Sequence, residues 1–169
     1  MVIGDPYKFA VILDEVPQWN PDSCAFRNGV LFYCFAGVLF PKELLNATLS
    51  ADLHDLLPRM RHIPTDDALA AGNKDEVFKL LCNLRFPLDW DQEEDCRFDL
   101  TPLSFSDQNH YVFAVKGSAG VRILANTIPY IPEKSTHDLS NLNTLEAVLS
   151  RQEYDDIITA LELWSGSKR

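Results

Sequence analysis

The chain has 169 residues, 46% hydrophobic and 11% aromatic, which is enough for one good core and short for two. Its formal net charge is −10, with 15 Lys and Arg against 25 Asp and Glu. That balance argues against nonspecific nucleic-acid binding, since neutralising phosphates takes clustered cations.

No apolar run approaches the roughly 18 residues of a membrane-spanning helix. Asp5 and Pro6 stand where a signal peptide would need its apolar core, so the expected location is the cytoplasm. Cys24, Cys34, Cys82 and Cys96 show neither a CxxC pair nor metal-finger spacing. Cys34 and Cys82 lie in apolar contexts and read as buried thiols.

In chain order, Gly4-Asp5-Pro6 reads as a turn and Tyr7–Val16 as a strand with Tyr7, Phe9, Val11 and Leu13 on one face. Pro17, Trp19, Asn20 and Pro21 mark a loop. Asn28-Gly29 and Ala36-Gly37 read as turns bracketing Val30–Phe35, which is apolar on both faces and therefore expected as a central strand covered on each side. Beyond Pro41, Leu49, Leu53, Leu56 and Leu57 recur at helical spacing, with Ser50 as the expected cap and Pro58 as the end or a kink. Asp66–Ala71 reads as one short turn closed by Gly72. A cleaner helix follows, with Asn73 as N-cap and Val77, Leu80, Leu81 and Leu84 along one side.

From Pro87 to Asp99 the character changes. Asp89, Asp91, Glu93, Glu94, Asp95 and Asp99 face only Arg97, so thirteen residues carry −5, half of the chain's net charge. Phe98, Leu100 and Leu103 suggest a strand beside this loop, and Ser104–Asn109 a polar turn. His110–Lys116 and Val121–Asn126 read as a hairpin joined through Gly117-Ser118-Ala119-Gly120. Ile128–Ser140, with two prolines, reads as an irregular excursion, and Thr144–Leu149 as an edge strand or short helix.

The last helix is written most plainly. Ser150 and Glu153 form a capping box, and Leu149 and Tyr154 occupy the positions of a hydrophobic staple. Tyr154, Ile157, Ile158, Leu161 and Trp164 make an apolar stripe, and Gly166 stops the run, leaving 166–169 as a frayed tail. These elements predict a single α+β domain over 1–169. It has a mainly antiparallel sheet of five or six strands covered by about three helices, the last one C-terminal.

Chemistry is sparse. There is no phosphate-cradling glycine loop, no HExxH and no GxSxG. Asp52, His54 and Asp55 read as a solvated helix face rather than a metal site. His110 and His137 have no nucleophile at readable distance, so no catalytic, cofactor or metal residue is assigned. The alternating carboxylates at 89, 91, 93 and 95 lack the glycine of a calcium loop. The distinctive feature is Trp90 between Asp89 and Asp91. A large aromatic ringed by Glu93, Glu94, Asp95 and Asp99 has the composition of an interface anchor with a steering rim for a basic partner. The Pro17–Asp22 loop and the Pro129–Ser140 excursion are the alternative surfaces.

Gly4-Asp5-Pro6-Tyr7-Lys8-Phe9-Ala10, the Trp19-Asn20 loop, Asn28-Gly29, Gly37-Val38-Leu39-Phe40-Pro41 and the terminal Leu149-Ser150, Glu153-Tyr154, Ile157, Ile158 and Trp164 follow one another over nearly the whole chain. Together they resemble the small bacterial immunity proteins encoded beside polymorphic or contact-dependent-inhibition toxins. The resemblance implies a cytoplasmic, non-enzymatic protein that binds the C-terminal domain of one cognate toxin, encoded by the adjacent gene, and blocks it. No binding residue carries over. Many such toxins are nucleases with a basic groove, which an acidic inhibitor suits. Two other readings stand beside it: an adaptor of general cellular function, and a small-molecule enzyme whose site is assembled from residues distant in sequence.

Overall fold

A computed structural model describes residues 1–21, 26–88 and 91–166. The first sheet is antiparallel and contains β1 (Val2–Asp5), β2 (Phe9–Glu15), β3 (Asn28–Phe35) and β4 (Val38–Phe40) in that spatial order, with β5 (Ala47–Thr48) pairing the start of β3. Phe9, Val11 and Leu13 on β2 and Leu31, Tyr33 and Phe35 on β3 are buried on one face, as period-two alternation requires. The chain then forms α1 (Leu49–Arg61), α2 (Asp67–Ala71), α3 (Lys74–Arg85) and the single turn α4 (Leu103–Ser106).

A second antiparallel sheet follows. The hairpin of β6 (His110–Gly117) and β7 (Gly120–Thr127) comes first, then the small ribbon of β8 (Tyr130–Ile131) and β9 (Thr136–His137), and β10 (Leu145–Leu149) returns to flank β7. The chain ends on α5 (Arg151–Gly166).

The two sheets share one core. The inner face of the first sheet, the apolar sides of α1 and α5, Phe105, and Val112, Ala114, Val121, Ile123 and Ala125 of the second sheet form one buried cluster. The opposite face of the β6–β7 hairpin, with Tyr111, Phe113, Val115 and Leu124, packs on Val77, Phe78, Leu81 and Cys82 of α3 in a second cluster. The strands covered on both faces are therefore β6 and β7. Although apolar on both faces in sequence, β3 does not have that role, and its Val30 and Phe32 are only half-buried. An apolar run on an antiparallel strand does not say whether a helix lies on its far side.

The expected antiparallel sheet of five strands is present, together with three substantial helices, α1, α3 and α5, the last one C-terminal. Several local expectations change. The turn expected at Gly4-Asp5-Pro6 falls at residues 6–8, after an edge strand, Val2–Asp5, that is too short and too interrupted by Gly4 to show a periodic signal. Asn28-Gly29 opens β3 instead of turning the chain. Gly29 is required by proximity, since a Cβ there would lie 2.1 Å from the Asp14 carbonyl oxygen and 2.8 Å from Leu49 Cδ1. Ala36-Gly37 does form the β3–β4 turn, with φ of 47° and 86°.

Ser50 lies inside the first turn of α1, where its hydroxyl accepts from Arg27 N at 3.2 Å, and Thr48 takes the capping position. Pro58 does not end α1, which runs on to Arg61. The carbonyl it leaves unbonded belongs to His54, on the exposed side of the helix where solvent can reach it. On α3, Asn73 caps as expected, accepting from Asp75 N and Glu76 N, but Leu80 is exposed and Phe78 and Cys82 take its place in the buried stripe. Leu103 starts α4 and is half exposed, so the apolar pattern after the acidic segment is not a strand; Phe98 and Leu100 join β6 only through a single bridge and flanking hydrogen bonds. Arg122, mid-strand in β7 and buried, donates to the carbonyls of Leu69, Ala70 and Gly72 at the end of α2 and pairs with Glu146.

α5 follows its sequence closely. Ser150 N donates to Glu153 Oε2 at 2.7 Å and Glu153 N donates to Ser150 Oγ at 3.2 Å, the reciprocal pair of a capping box. Tyr154, Ile157, Ile158 and Leu161 are buried, and the Tyr154 hydroxyl donates to the Met60 carbonyl on α1. Gly166 is the last helical residue rather than the first of the tail, and Arg27 holds this end by donating to Ser165 O and stacking 4.3 Å from the Trp164 ring.

Candidate interaction face

Asp89 and Trp90 lie outside the described residues. The other members of the acidic segment separate into two groups. Asp99 is 7% exposed and turns inward: its Oδ1 accepts from Thr101 N at 2.8 Å, and its Oδ2 accepts from Arg85 Nε at 3.1 Å. Arg59 stands 3.7 Å from the same carboxylate and donates to the carbonyls of Asp99 and Thr101 while pairing with Asp55. Asp95 is mostly covered and holds Arg97 through both oxygens, at 2.9 and 2.7 Å, and its carboxyl sits below the usual range because of that bond. Asp91, Glu93 and Glu94 remain exposed, Glu94 bridging to Arg85. Arg59 comes from α1, forty residues back, and Arg85 from the end of α3 just ahead of the segment, so the local charge is less negative than thirteen consecutive residues suggested.

The structure also brings the acidic segment beside the excursion that follows β7. Phe86, Leu88, Gln92 and Glu94 on one side and Tyr130 and His137 on the other line a cleft of about 570 Å³. Its base is aromatic: His137 lies 4.6 Å from the Phe86 ring, 5.3 Å from Tyr111 and 5.4 Å from Tyr130 between ring centres. Leu88 and Tyr130 are well exposed at its lip. No sequence spacing could have joined 86–94 to 130–137, because the pairing runs through Tyr111, on the strand between them.

The Tyr111 hydroxyl and His137 Nε2 are 3.1 Å apart, and burial holds the imidazole below its ordinary value of 6.5. The unfolded chain therefore takes up this proton first as pH falls. The stabilisation is present above about pH 6.5 and is lost as pH drops toward the lower folded value. The protection factors of the amides in 130–138, with the intrinsic fall of exchange with pH divided out, are expected to drop between about pH 7 and pH 5, and His137→Phe, which keeps the ring contacts without the titration, is expected to flatten that dependence. An equally steep profile in the variant would show that another group is responsible.

The remaining candidates resolve into structure. Asp52 is buried rather than solvated, with Oδ1 accepting from Ser104 N at 3.0 Å to anchor α4, and burial raises its pKa. His54 is exposed, as expected. His110 is buried with Nδ1 2.7 Å from Thr127 Oγ1 and Nε2 2.8 Å from Glu43. Among the described residues, no three His, Cys, Asp or Glu side chains gather in a way that could hold a metal ion, and no helix is long and apolar enough to cross a membrane.

The sequence profile of the Immunity protein 42 family matches residues 1–164. The chain belongs to the Immunity protein 42 family. The crystal structure of CdiI from Burkholderia dolosa has the same fold, with a TM-score of 0.79 and 26% sequence identity over 97% of this chain and 99% of that one. No curated protein matches the sequence. As an Immunity protein 42 member, the chain is an immunity protein: a non-catalytic protein that binds a cognate toxin. Its working surface is thus a protein interface, and large aromatics beside charge on the outside of the fold gain weight over isolated histidines.

Proposed function

We propose that this immunity protein acts in the cytoplasm on a basic, nuclease-type toxin domain encoded by the adjacent gene, and that it receives the toxin at the cleft between 86–94 and 130–137. The supporting observation is the arrangement of that face: Glu94 lines a cleft with an aromatic base, the exposed Asp91 and Glu93 lie in the same segment, and Lys134 is the cation of the lining. Exposed carboxylates steer a cationic surface during encounter, and a desolvated aromatic centre slows its escape. Trp90, with Asp89 and Asp91, belongs to the same stretch of chain and remains the proposed anchor; Asp95 contributes by orienting Arg97, and Asp99 by fixing the base of the segment.

Two measurements test this. Co-expression with the neighbouring gene product should yield a one-to-one complex and protect the cell. Neutralising Asp91, Glu93 and Glu94 to Asn and Gln should slow association at low salt, with the deficit shrinking as the Debye length falls to about 8 Å near physiological ionic strength. Trp90→Ala should instead speed dissociation, at a cost of about 2 kcal/mol or more. A neutralised variant that associates at the wild-type rate in low salt would remove the steering role and move the interface elsewhere.

A further inference from the structure

A second groove lies far from 86–94 in sequence, between the edge strand β1 and α5, with a volume of about 420 Å³. Its floor is Phe9, Leu149 and Ile157, all buried, and its walls are Val2, which is 53% exposed, and the half-buried Ala160. No polar side chain forms the floor. The polar groups stand at the mouth: Asp5, Glu153 and Asp156, with Lys8 as the cation among the lining residues. Lys8 is already held by both Glu153 oxygens, at 2.8 and 2.7 Å, and Glu153 also accepts from Ser150 N as part of the helix cap. Asp5 accepts from Tyr7 N and Asp156 from Gln152 Nε2, and among the described residues neither carboxylate forms an ion pair. The mouth therefore carries two more negative charges than positive.

We propose that this groove takes an apolar side chain flanked by Lys or Arg from a segment of the cognate toxin, as a second contact beside the cleft. The inference rests on the reading of a basic toxin partner. An apolar floor without directing polar groups suits a hydrocarbon or aromatic side chain, since water there has few bonds to lose. Carboxylates placed on both the strand and the helix suit cations on either side of that residue along an extended segment. The Glu153 carboxyl, lowered to about 2 chiefly by its bond to Lys8, stays ionised throughout the working pH range, so this part of the rim does not switch off.

The test uses the full chain and two synthetic probes, an acetylated Lys-Lys-Phe-Leu-Lys-Lys peptide and its counterpart with Glu for every Lys. The lysine peptide should shift the amide resonances of Val2, Gly4, Ile157 and Ala160, and the glutamate peptide should not. Ala160→Trp, which fills the groove from its half-exposed wall, and Asp156→Lys, an exposed change that spares the core, should each weaken the lysine peptide at least tenfold. Both variants should also lose protection against the neighbouring toxin while melting like the wild type. Shifts that are absent, that centre elsewhere, or that are equal for the two peptides would overturn the proposal, as would full protection by both variants. If instead the wild-type chain fails to protect against the neighbouring toxin, it is the basic-toxin reading that fails, and the peptides still report separately on the groove.

Discussion

Asp99→Asn is expected to lower the unfolding free energy by about 3 kcal/mol while leaving toxin affinity nearly unchanged in the folded protein. Its carboxylate is the common acceptor for Arg85, Thr101 N and, at longer range, Arg59, and its side chain is only 9% exposed. Removing the charge leaves two arginines facing each other with a single neutral oxygen between them. Because both guanidiniums are about a quarter exposed, the cost falls at the lower end of the range for breaking a buried pair. Denaturant unfolding measures the first part and toxin titration below the unfolding transition the second. A variant of wild-type stability with weakened binding would return Asp99 to the interface, where its place in the acidic run had suggested it belonged. Glu93→Gln is the control: it is exposed, and its loss should leave the unfolding midpoint where it is.

Ile158→Ala is expected to cost about 2–5 kcal/mol, against about 0.5–2 kcal/mol for Ser150→Ala. Ile158 is 2% exposed in the cluster where α5 meets α1 and the two sheets, so the shortened side chain leaves a void that the layers around it cannot close. Ser150 contributes only one of the capping bonds, while Glu153 retains its bond to the Ser150 backbone and its pair with Lys8. Urea unfolding of both variants decides the order. Equal and small effects would mean that α5 is not docked on the core, contrary to the burial of its whole stripe.

The parts of the fold legible in the sequence share a cause: their signals are local. Ser150 and Glu153, or Asn73 and the amides of Asp75 and Glu76, are two or three residues apart and bond each other wherever the helix goes. The β6–β7 hairpin is readable because its turn and both strands lie within eighteen residues of one another. Leu80 failed because an amphipathic stripe can rotate by one residue when a bulkier neighbour, here Phe78, fills the space against Phe113. Asn28-Gly29 failed because a glycine that permits a turn also permits close approach, and only Asp14 and Leu49 distinguish the two.

By itself the sequence determined the α+β class, the capped terminal helix, the hairpin, the acidic balance and the resemblance to immunity proteins. All of these depend on composition or on neighbours a few residues apart. Only the tertiary structure decided that two sheets share the core and that the doubly covered strands are β6 and β7. It also decided which carboxylates face the solvent. Asp99 and Glu93 are the same kind of residue six positions apart, yet one is enclosed by arginines from α1 and α3 and the other is exposed. A charge run specifies how much charge a segment carries; whether that charge meets a partner or a neighbouring helix is set by what long-range packing brings within a few ångströms of it.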